Sequence, residues 1–149
     1  TAVNDSTRID WARLVNGEFT PDYVNSLPPS GNSTYRTHYY TGNVSIPSGS
    51  RRGFLVARGN VTLLSGAHWD GIILAGGRLD ANGNYNFTVH GMIITGLNLT
   101  LGEMVSANQV RRGGGRTLRW DYCYATSSIN SLGFLIPIRG STTDSWATY

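Results

Sequence analysis

The stretch GFLVARGNVTLLSGAHWDGIILAGGRLDA, residues 53–81, contains two copies of one pattern, and this repetition decides the fold. A glycine followed by an apolar run occurs at 53–57, 71–75 and 91–95, so the spacings are 18 and 20 residues. One turn of a parallel β-solenoid, with about three short strands and three corners, has a length near this period. A doubly wound sheet does not fit, because it needs a helix of about a dozen residues between parallel strands.

A second series of segments keeps the same period and alternates between polar and apolar residues. It begins at Gly42, Gly59, Gly77 and Leu97. Alternation with period two is typical of a strand that is buried on one face. We therefore expect two inward columns, formed by Val44, Val61, Leu79 and Leu99 and by Ile46, Leu63, Ala81 and Leu101. The side chains expected to stack outward are Asn43, Asn60, Arg78 and Asn98.

The first series is apolar at every position, which predicts strands that are buried on both faces. One outer wall of the solenoid must then be covered, because a monomer rarely exposes an apolar patch of more than a few hundred Å². The sequence after the coils predicts a short helix over 126–132 and an extended segment over 134–138. We expect these two segments to cover the wall with Ile129, Leu132, Phe134, Leu135 and Ile136.

These patterns predict an all-β fold, a short parallel β-solenoid of about three coils with a short C-terminal α-helix packed on one wall. The 149 residues form a single domain. We expect an N-terminal segment and cap over 1–41 and the solenoid coils over 42–104. A C-terminal strand, a short helix and an extended tail are expected over 105–149.

Composition and charge exclude several classes of partner. The chain has 12 basic residues, all of them arginine, against 9 acidic ones, for a net charge of +3. Because these charges are scattered, we expect no nucleic-acid partner. The single Cys123 excludes an internal disulfide framework. No apolar run reaches the ~18 residues of a membrane helix, and the chain starts at Thr1 without a signal peptide. We therefore expect a processed protein or an excised domain, with membrane association only through an upstream anchor or a partner.

The most distinctive polar group on the coils contains two histidines and a carboxylate. Aligning the coils on their glycines places Arg52, Asp70 and His90 in one column, and His68 two residues earlier on the same face. Two histidines and one carboxylate can bind zinc or iron, or perform acid–base chemistry. A polar ladder in which Arg52 pairs with Asp70 is the favoured interpretation, because an arginine opposes cation binding. We therefore predict no tightly bound metal, no catalytic residues and no cofactor.

Aromatic residues cluster just before the coils, at Tyr35, Tyr39 and Tyr40. Aromatic faces can stack on sugar rings, so these tyrosines are candidate interaction residues. The favoured alternative is a cap on the first open end of the solenoid. Six Asn-x-Ser/Thr motifs raise the question of attached glycans, and they occur at Asn4, Asn32, Asn43, Asn60, Asn86 and Asn98. Stacked polar positions explain three of these motifs, so glycosylation is not favoured.

Three stretches resemble the exported domain of bacterial prepilin-type pilus-assembly proteins, accessory proteins of type IV pili. They are RGFLVARGNVTLLSGAHWDGIILAGGRLDANGN at 52–84, IDWARLVNGEFTPDY at 9–23 and RWDYCYATSSINSLGFLIPIRGSTTDSW at 119–146. The resemblance implies an exported, non-catalytic β-solenoid with a role as a scaffold or in adhesion. It brings no catalytic residues.

Two functional hypotheses follow from these observations. The first is a structural or interaction module, pilus-assembly-like or a periplasmic scaffold subunit of a larger membrane-associated assembly or filament. It would act through protein–protein contacts in the periplasm or on the cell surface. The alternative is a carbohydrate-binding or carbohydrate-active solenoid of the lyase type, which requires a groove lined with carboxylates. Convergence of Asp70, Asp80 and Asp121 in one cleft would favour the alternative.

Overall fold

The computed structural model describes residues 9–81, 86–110 and 115–132. Its helices are α1 (Trp11–Val15), the 3₁₀ helix (Leu97–Leu101) and α2 (Tyr122–Asn130). Its strands are β1 (Tyr23–Val24), β2 (Thr37–Tyr40), β3 (Val44–Ile46), β4 (Gly49–Ala57), β5 (Val61–Leu63), β6 (Ala67–Ala75), β7 (Leu79–Ala81), β8 (Phe87–Ile94), β9 (Gln109–Val110) and β10 (Arg116–Trp120). Among these residues, no helix is long and apolar enough to cross a membrane.

The strands form two parallel sheets that wind into a β-solenoid, so the predicted fold class is confirmed. One sheet has the order β1-β2-β4-β6-β8-β10, and the other has the order β3-β5-β7-β9. The solenoid has about 4 turns, one more than the repeat count predicts. The additional strands come from segments outside 42–104, namely β1 and β2 before the repeats and β9 and β10 after them.

Side chains from both sheets fill the interior of the solenoid. Val44, Val61 and Leu79 stand in register as predicted, and each is at most 4% exposed. The prediction that Leu99 and Leu101 continue the inward columns is wrong. Both residues lie in the 3₁₀ helix, where Leu99 is 48% exposed. The fourth strand of this sheet is β9, which places Val110 beside Ala81.

Asparagine side chains connect successive coils at one corner. The side-chain oxygen of Asn43 accepts from the Asn60 N–H at 2.8 Å, and that of Asn60 accepts from the Arg78 N–H at 2.9 Å. Asn98 departs from the predicted outward column, because it is buried and accepts from Trp11 Nε1 at 2.9 Å. Asn43 and Asn60 therefore have a structural role that fits the stacking explanation of their motifs, whereas Asn98 does not follow it.

A column of glycines bends the long strands of the six-stranded sheet. Gly53, Gly71 and Gly91 are in register, with φ angles of 150°, 138° and 128°. A Cβ on Gly71 would overlap the carbonyl oxygen of Gly53, and a Cβ on Gly91 would overlap that of Gly71. Each long strand thus has an N-terminal arm before its glycine and a C-terminal arm after it, and the bend admits no side chain.

The outer wall formed by the C-terminal arms is covered, as predicted. Two helices pack on it, because Trp11 and Leu14 of α1 and Ala125 of α2 join the apolar cluster of the wall. Leu132, just after α2, is buried there as expected, whereas Ile129 is 46% exposed and does not belong to the cover. The sequence pattern does not predict that α1 contributes to this cover. The other expected cover residues, Phe134, Leu135 and Ile136, lie outside the described residues.

The C-terminal helix begins earlier than the sequence predicts. The sequence predicts a strand followed by a helix from residue 126, but β10 ends at Trp120 and α2 starts at Tyr122. Asp121 causes this change, because its carboxylate accepts from the N–H groups of Cys123 and Tyr124. An aspartate in this N-cap position satisfies backbone donors that a helix start otherwise leaves unpaired.

Ser128 fixes α2 to the bend of the sheet. Its side chain is fully buried, and its hydroxyl donates to the Gly53 carbonyl at 2.8 Å and accepts from the Ile72 N–H at 3.2 Å. The hydroxyl thus connects a backbone acceptor of β4 to a backbone donor of β6. Both groups are satisfied although the glycine bend interrupts the strands.

Candidate functional site

The strand register brings the predicted polar residues together on the N-terminal arms. Arg52 pairs with Asp70 and Asp70 with His90, while Ser50, His68 and Thr88 form the column two residues earlier. The predicted column of Arg52, Asp70 and His90 is therefore confirmed, and His68 lies on the same face, as predicted. Because three neighbouring strands hold these side chains, their spacing is set by the sheet.

Asp70 is the centre of this cluster. Its side chain is only 9% exposed, and its Oδ1 lies 2.9 Å from His68 Nε2 in a hydrogen bond. The same oxygen lies 3.2 Å from His90 Nδ1, but the two groups are poorly aligned, and this buried nitrogen has no hydrogen-bond partner among the described residues. The second oxygen faces Arg52 Nη2 at 4.0 Å. A buried carboxylate is thus compensated by several cationic or polar partners.

Aromatic rings enclose the cluster on two sides. The Arg52 guanidinium lies 5.6 Å from the centre of the Tyr35 ring, a cation–π distance. The His90 ring stacks on Tyr124 of α2 at 5.7 Å, and it meets His68 edge to face at 5.2 Å. Burial raises the pKa of Tyr35, which therefore stays neutral near physiological pH. These contacts connect the cluster to the first turn of α2.

His68, Asp70 and His90 offer the donor set of a metal site. One ligand atom from each lies within 4.8 Å of the others in the described part of the chain. Two imidazoles and a carboxylate suit zinc or iron. Arg52 opposes metal binding, because its positive charge lies next to the proposed ligand Asp70, with Nη2 4.0 Å from Oδ2. The arrangement therefore fits a polar network around Asp70 better than an ion site.

We expect the purified protein to hold no tightly bound metal at this cluster. The reason is the Arg52 charge next to Asp70, together with the hydrogen bond that already engages Oδ1. Elemental analysis after dialysis should give far less than one equivalent of zinc or iron. One equivalent that disappears in a His68→Ala, His90→Ala double variant would contradict this expectation.

The three candidate interaction tyrosines do not form one platform. Tyr39 packs against the apolar cluster of the outer wall, whereas Tyr40 packs against the interior cluster. Tyr35 stands before β2 and contacts Arg52. Because neighbouring residues of a strand point to opposite faces, Tyr39 and Tyr40 cannot stack on the same ligand.

The carboxylates that would favour carbohydrate chemistry have separate structural partners. Asp70 belongs to the histidine cluster, Asp80 lies in the other sheet with Arg78 at 3.4 Å, and Asp121 caps α2 and contacts Arg119 at 2.9 Å. None of the three lines the shallow groove beside β8, which encloses about 240 Å³.

His38 is a buried histidine on β2, near the first edge of the six-stranded sheet. It is 1% exposed, its Nδ1 lies 2.8 Å from the Ser26 carbonyl, and its ring stacks on Tyr23 at 5.1 Å. Burial lowers the pKa of His38, although the hydrogen bond to Ser26 and the charge of Asp22 act in the opposite direction. The folded protein therefore holds this ring neutral.

We expect His38 to make the protein less stable in mild acid. Its pKa is lower in the folded chain than the ~6.5 of an unfolded chain, so the unfolded state binds more protons as pH falls through ~6.5. The free energy of unfolding should then decrease by up to about 1.4 kcal/mol per pH unit below that pH. Urea titrations between about pH 7 and pH 5.5 measure this slope. An unchanged slope in His38→Phe would contradict the assignment.

Sequence reasoning did not predict that apolar side chains stay exposed on β1 and β10, the first and last strands of the six-stranded sheet. Tyr23 and Val24 of β1 are 49% and 54% exposed, and Leu118 and Trp120 of β10 are 52% and 63% exposed. The sequence does predict a C-terminal strand here, but the two-residue spacing of Leu118 and Trp120 does not tell whether their common face is buried or exposed. The groove beside β8 is lined at this end by Val89, Gly91, Met92, Ile93, Leu118, Arg119 and Trp120.

Comparison with known proteins adds no assignment, since no family model, curated protein or solved structure matches this chain. The function must therefore be inferred from the described geometry. The polar cluster is held by its own partners, and four of the exposed apolar residues lie on the first and last strands of the six-stranded sheet, namely Tyr23, Val24, Leu118 and Trp120.

Proposed function

We propose that this chain is an exported, non-catalytic structural module that acts through protein–protein contacts. The observation that carries the proposal is the exposure of apolar side chains on the two edge strands of the six-stranded sheet. These side chains are Leu118 and Trp120 on β10 and Tyr23 and Val24 on β1. A sheet edge with exposed apolar side chains is a template for another chain. As a scaffold subunit of a periplasmic or cell-surface assembly, similar to pilus-assembly proteins, the chain would use these edges to hold its neighbours.

The packing of the solenoid supports this role. The interior is filled, and the outer wall is covered by α1 and α2, whereas the end strands β1 and β10 keep exposed apolar side chains along a sheet edge. A sheet that is buried on both faces is rigid, which suits a spacer or scaffold. Contacts through the ends also leave the polar cluster undisturbed.

The polar chemistry of the chain also favours a non-catalytic role. Asp70 is bound by His68 and faces Arg52, and Asp80 and Asp121 are engaged elsewhere. A lyase or a sugar-binding groove would need several carboxylates converging on one cleft. The proposed location in the periplasm or on the cell surface rests on the resemblance of residues 52–84 and 119–146 to pilus-assembly proteins.

Site-specific photo-crosslinking in the cells that make this chain tests the proposal. A photoreactive phenylalanine analogue at Trp120 should give a discrete protein adduct, because this side chain is 63% exposed at the strand end. The matched control is the same analogue at Leu99, which is 48% exposed on the 3₁₀ helix and should give none. Cell fractionation should recover the protein outside the cytoplasm.

Two results would contradict the proposal. If the analogue at Trp120 gives no adduct, the edge strand β10 has no protein partner in the cell. If the protein fractionates with the cytoplasm, the inference of export from the resemblance is wrong.

A further inference from the structure

The two ends of the six-stranded sheet have complementary outlines. At the last end, β10 pairs only with residues 87–91 of β8, so no described strand lies beside Met92–Ile94. At the first end, β1 consists of Tyr23 and Val24, which pair with His38 and Tyr39. One end therefore lacks the C-terminal arm of a strand, and the other end begins with a short strand of its own.

The register shows that these two features occupy the same rows of the sheet. Tyr23 stands in the row that continues through His38, Leu55 and Ile73 to Ile93. Val24 stands in the next row, which continues through Tyr39, Val56 and Leu74 to Ile94. The short strand at the start thus lies in the rows that β10 leaves uncovered at the end.

The open arm of β8 also has backbone groups for a new strand. The Gly91 carbonyl accepts from the Asp121 N–H at 3.3 Å, so it faces the β10 side of the sheet. Backbone directions alternate along a strand, so the N–H and C=O of Ile93, two residues later, face the same side. After Asp121 the chain turns into α2, and these groups meet no strand among the described residues.

The side chains at the two ends match in polarity. The groove at the last end is apolar, with Met92, Ile93, Leu118 and Trp120 in its lining, and Arg119 is 59% exposed at its rim. The first end offers Tyr23 and Val24, which are about half exposed, and Asp22 directly before them. Two apolar residues would thus face an apolar groove, while Asp22 stays hydrogen-bonded to Thr37 and Arg119 stays paired with Asp121 in their own copies.

We propose that copies of this chain stack head to tail, and this inference rests on the proposed function. The β1 strand of one copy adds in parallel to the open arm of β8 in the next copy and lies beside β10. Tyr23 and Val24 then align with Ile93 and Ile94 and continue their rows. Such a contact joins two different surfaces and leaves a free end on each side, so it generates an open filament.

Analytical ultracentrifugation of the purified chain, together with negative-stain microscopy, tests the stacking. The average mass should rise with protein concentration, and rods should be visible. Val24→Glu on the first end and Leu118→Glu on the last end should each give monomers. Both side chains are more than half exposed, so the changes leave the core intact. Leu99→Glu, on the equally exposed 3₁₀ helix, is the matched control and should assemble normally.

Mixing the two blocked variants provides the decisive measurement. The intact last end of Val24→Glu should bind the intact first end of Leu118→Glu, so the mixture should reach twice the monomer mass and stop there. Circular dichroism verifies the fold of each variant, and Tyr23→Glu with Trp120→Glu forms a second pair if either fails to fold.

Three outcomes would overturn the stacking. The first is a parent chain that is monomeric at every concentration, and the second is a mixture of the two variants that remains monomeric. The third is self-association that is lost in only one of the two variants, because this result would mean that two identical ends bind each other. If the parent is monomeric but the analogue at Trp120 captures a different protein in cells, the stacking is wrong and the proposed function stands.

Discussion

Gly71→Ala should unfold most of the protein or leave it barely stable. A methyl group on this residue would overlap the carbonyl oxygen of Gly53, which belongs to the neighbouring backbone and cannot move aside as a flexible side chain can. The φ angle of 138° adds backbone strain for any residue other than glycine. Clash and strain together should cost about 4 kcal/mol or more, a large share of the 5–15 kcal/mol that stabilises a typical domain.

Urea denaturation followed by tryptophan fluorescence measures this loss, because Trp69 is fully buried beside the bend. Gly42→Ala is the matched control. Its added Cβ would meet no atom within 4 Å, and its φ angle is not positive. The control should change the free energy of unfolding by no more than about 0.5 kcal/mol. Equal stability of the two variants would show that the glycine column does not shape the sheet.

Ser128→Ala should lower the free energy of unfolding by about 2–4 kcal/mol. The serine hydroxyl satisfies the Gly53 carbonyl and the Ile72 N–H, and its loss leaves both groups buried without a partner. Each unsatisfied buried group costs about 1–3 kcal/mol, which more than offsets the better helix propensity of alanine.

Hydrogen exchange gives this prediction a local measurement. The Ile72 N–H should exchange faster in Ser128→Ala, because its hydroxyl acceptor is gone. Ser127→Ala, one position earlier in α2 and only partly buried, provides the control with the same change of residue type. If both variants are as stable as the parent, α2 is held to the sheet by apolar contacts alone.

The repeat predicted the fold because a solenoid places equivalent residues of successive coils next to each other. The same alignment placed Asp70 between Arg52 and His90, so the repeat alone was enough to predict most of the polar cluster. The contact of Tyr124 with His90 could not be predicted in this way, because it depends on α2 packing against the sheet.

The late start predicted for α2 misses a local cap, Asp121, whereas the wrong prediction for the last inward column concerns a segment whose structure depends on distant residues. Leu99 continues the sequence period, but Gly96 and Gly102 bracket it with left-handed conformations, and Asn98 is held by Trp11 from the other end of the chain. The segment therefore forms a 3₁₀ helix, and β9 takes the expected place of the strand.

By itself, the sequence determined the coil period, the polar column of Arg52, Asp70 and His90, and the need for a covered wall. These properties follow from spacing and polarity, which neighbouring residues along the chain set. Only the tertiary structure decided that α1 shares the cover with α2, that Ser128 bridges Gly53 and Ile72, and that β1 and β10 occupy complementary rows. Such outcomes depend on which of several distant segments packs on one apolar face or bonds one unpaired backbone group. The pattern of neighbouring residues along the chain does not determine that choice.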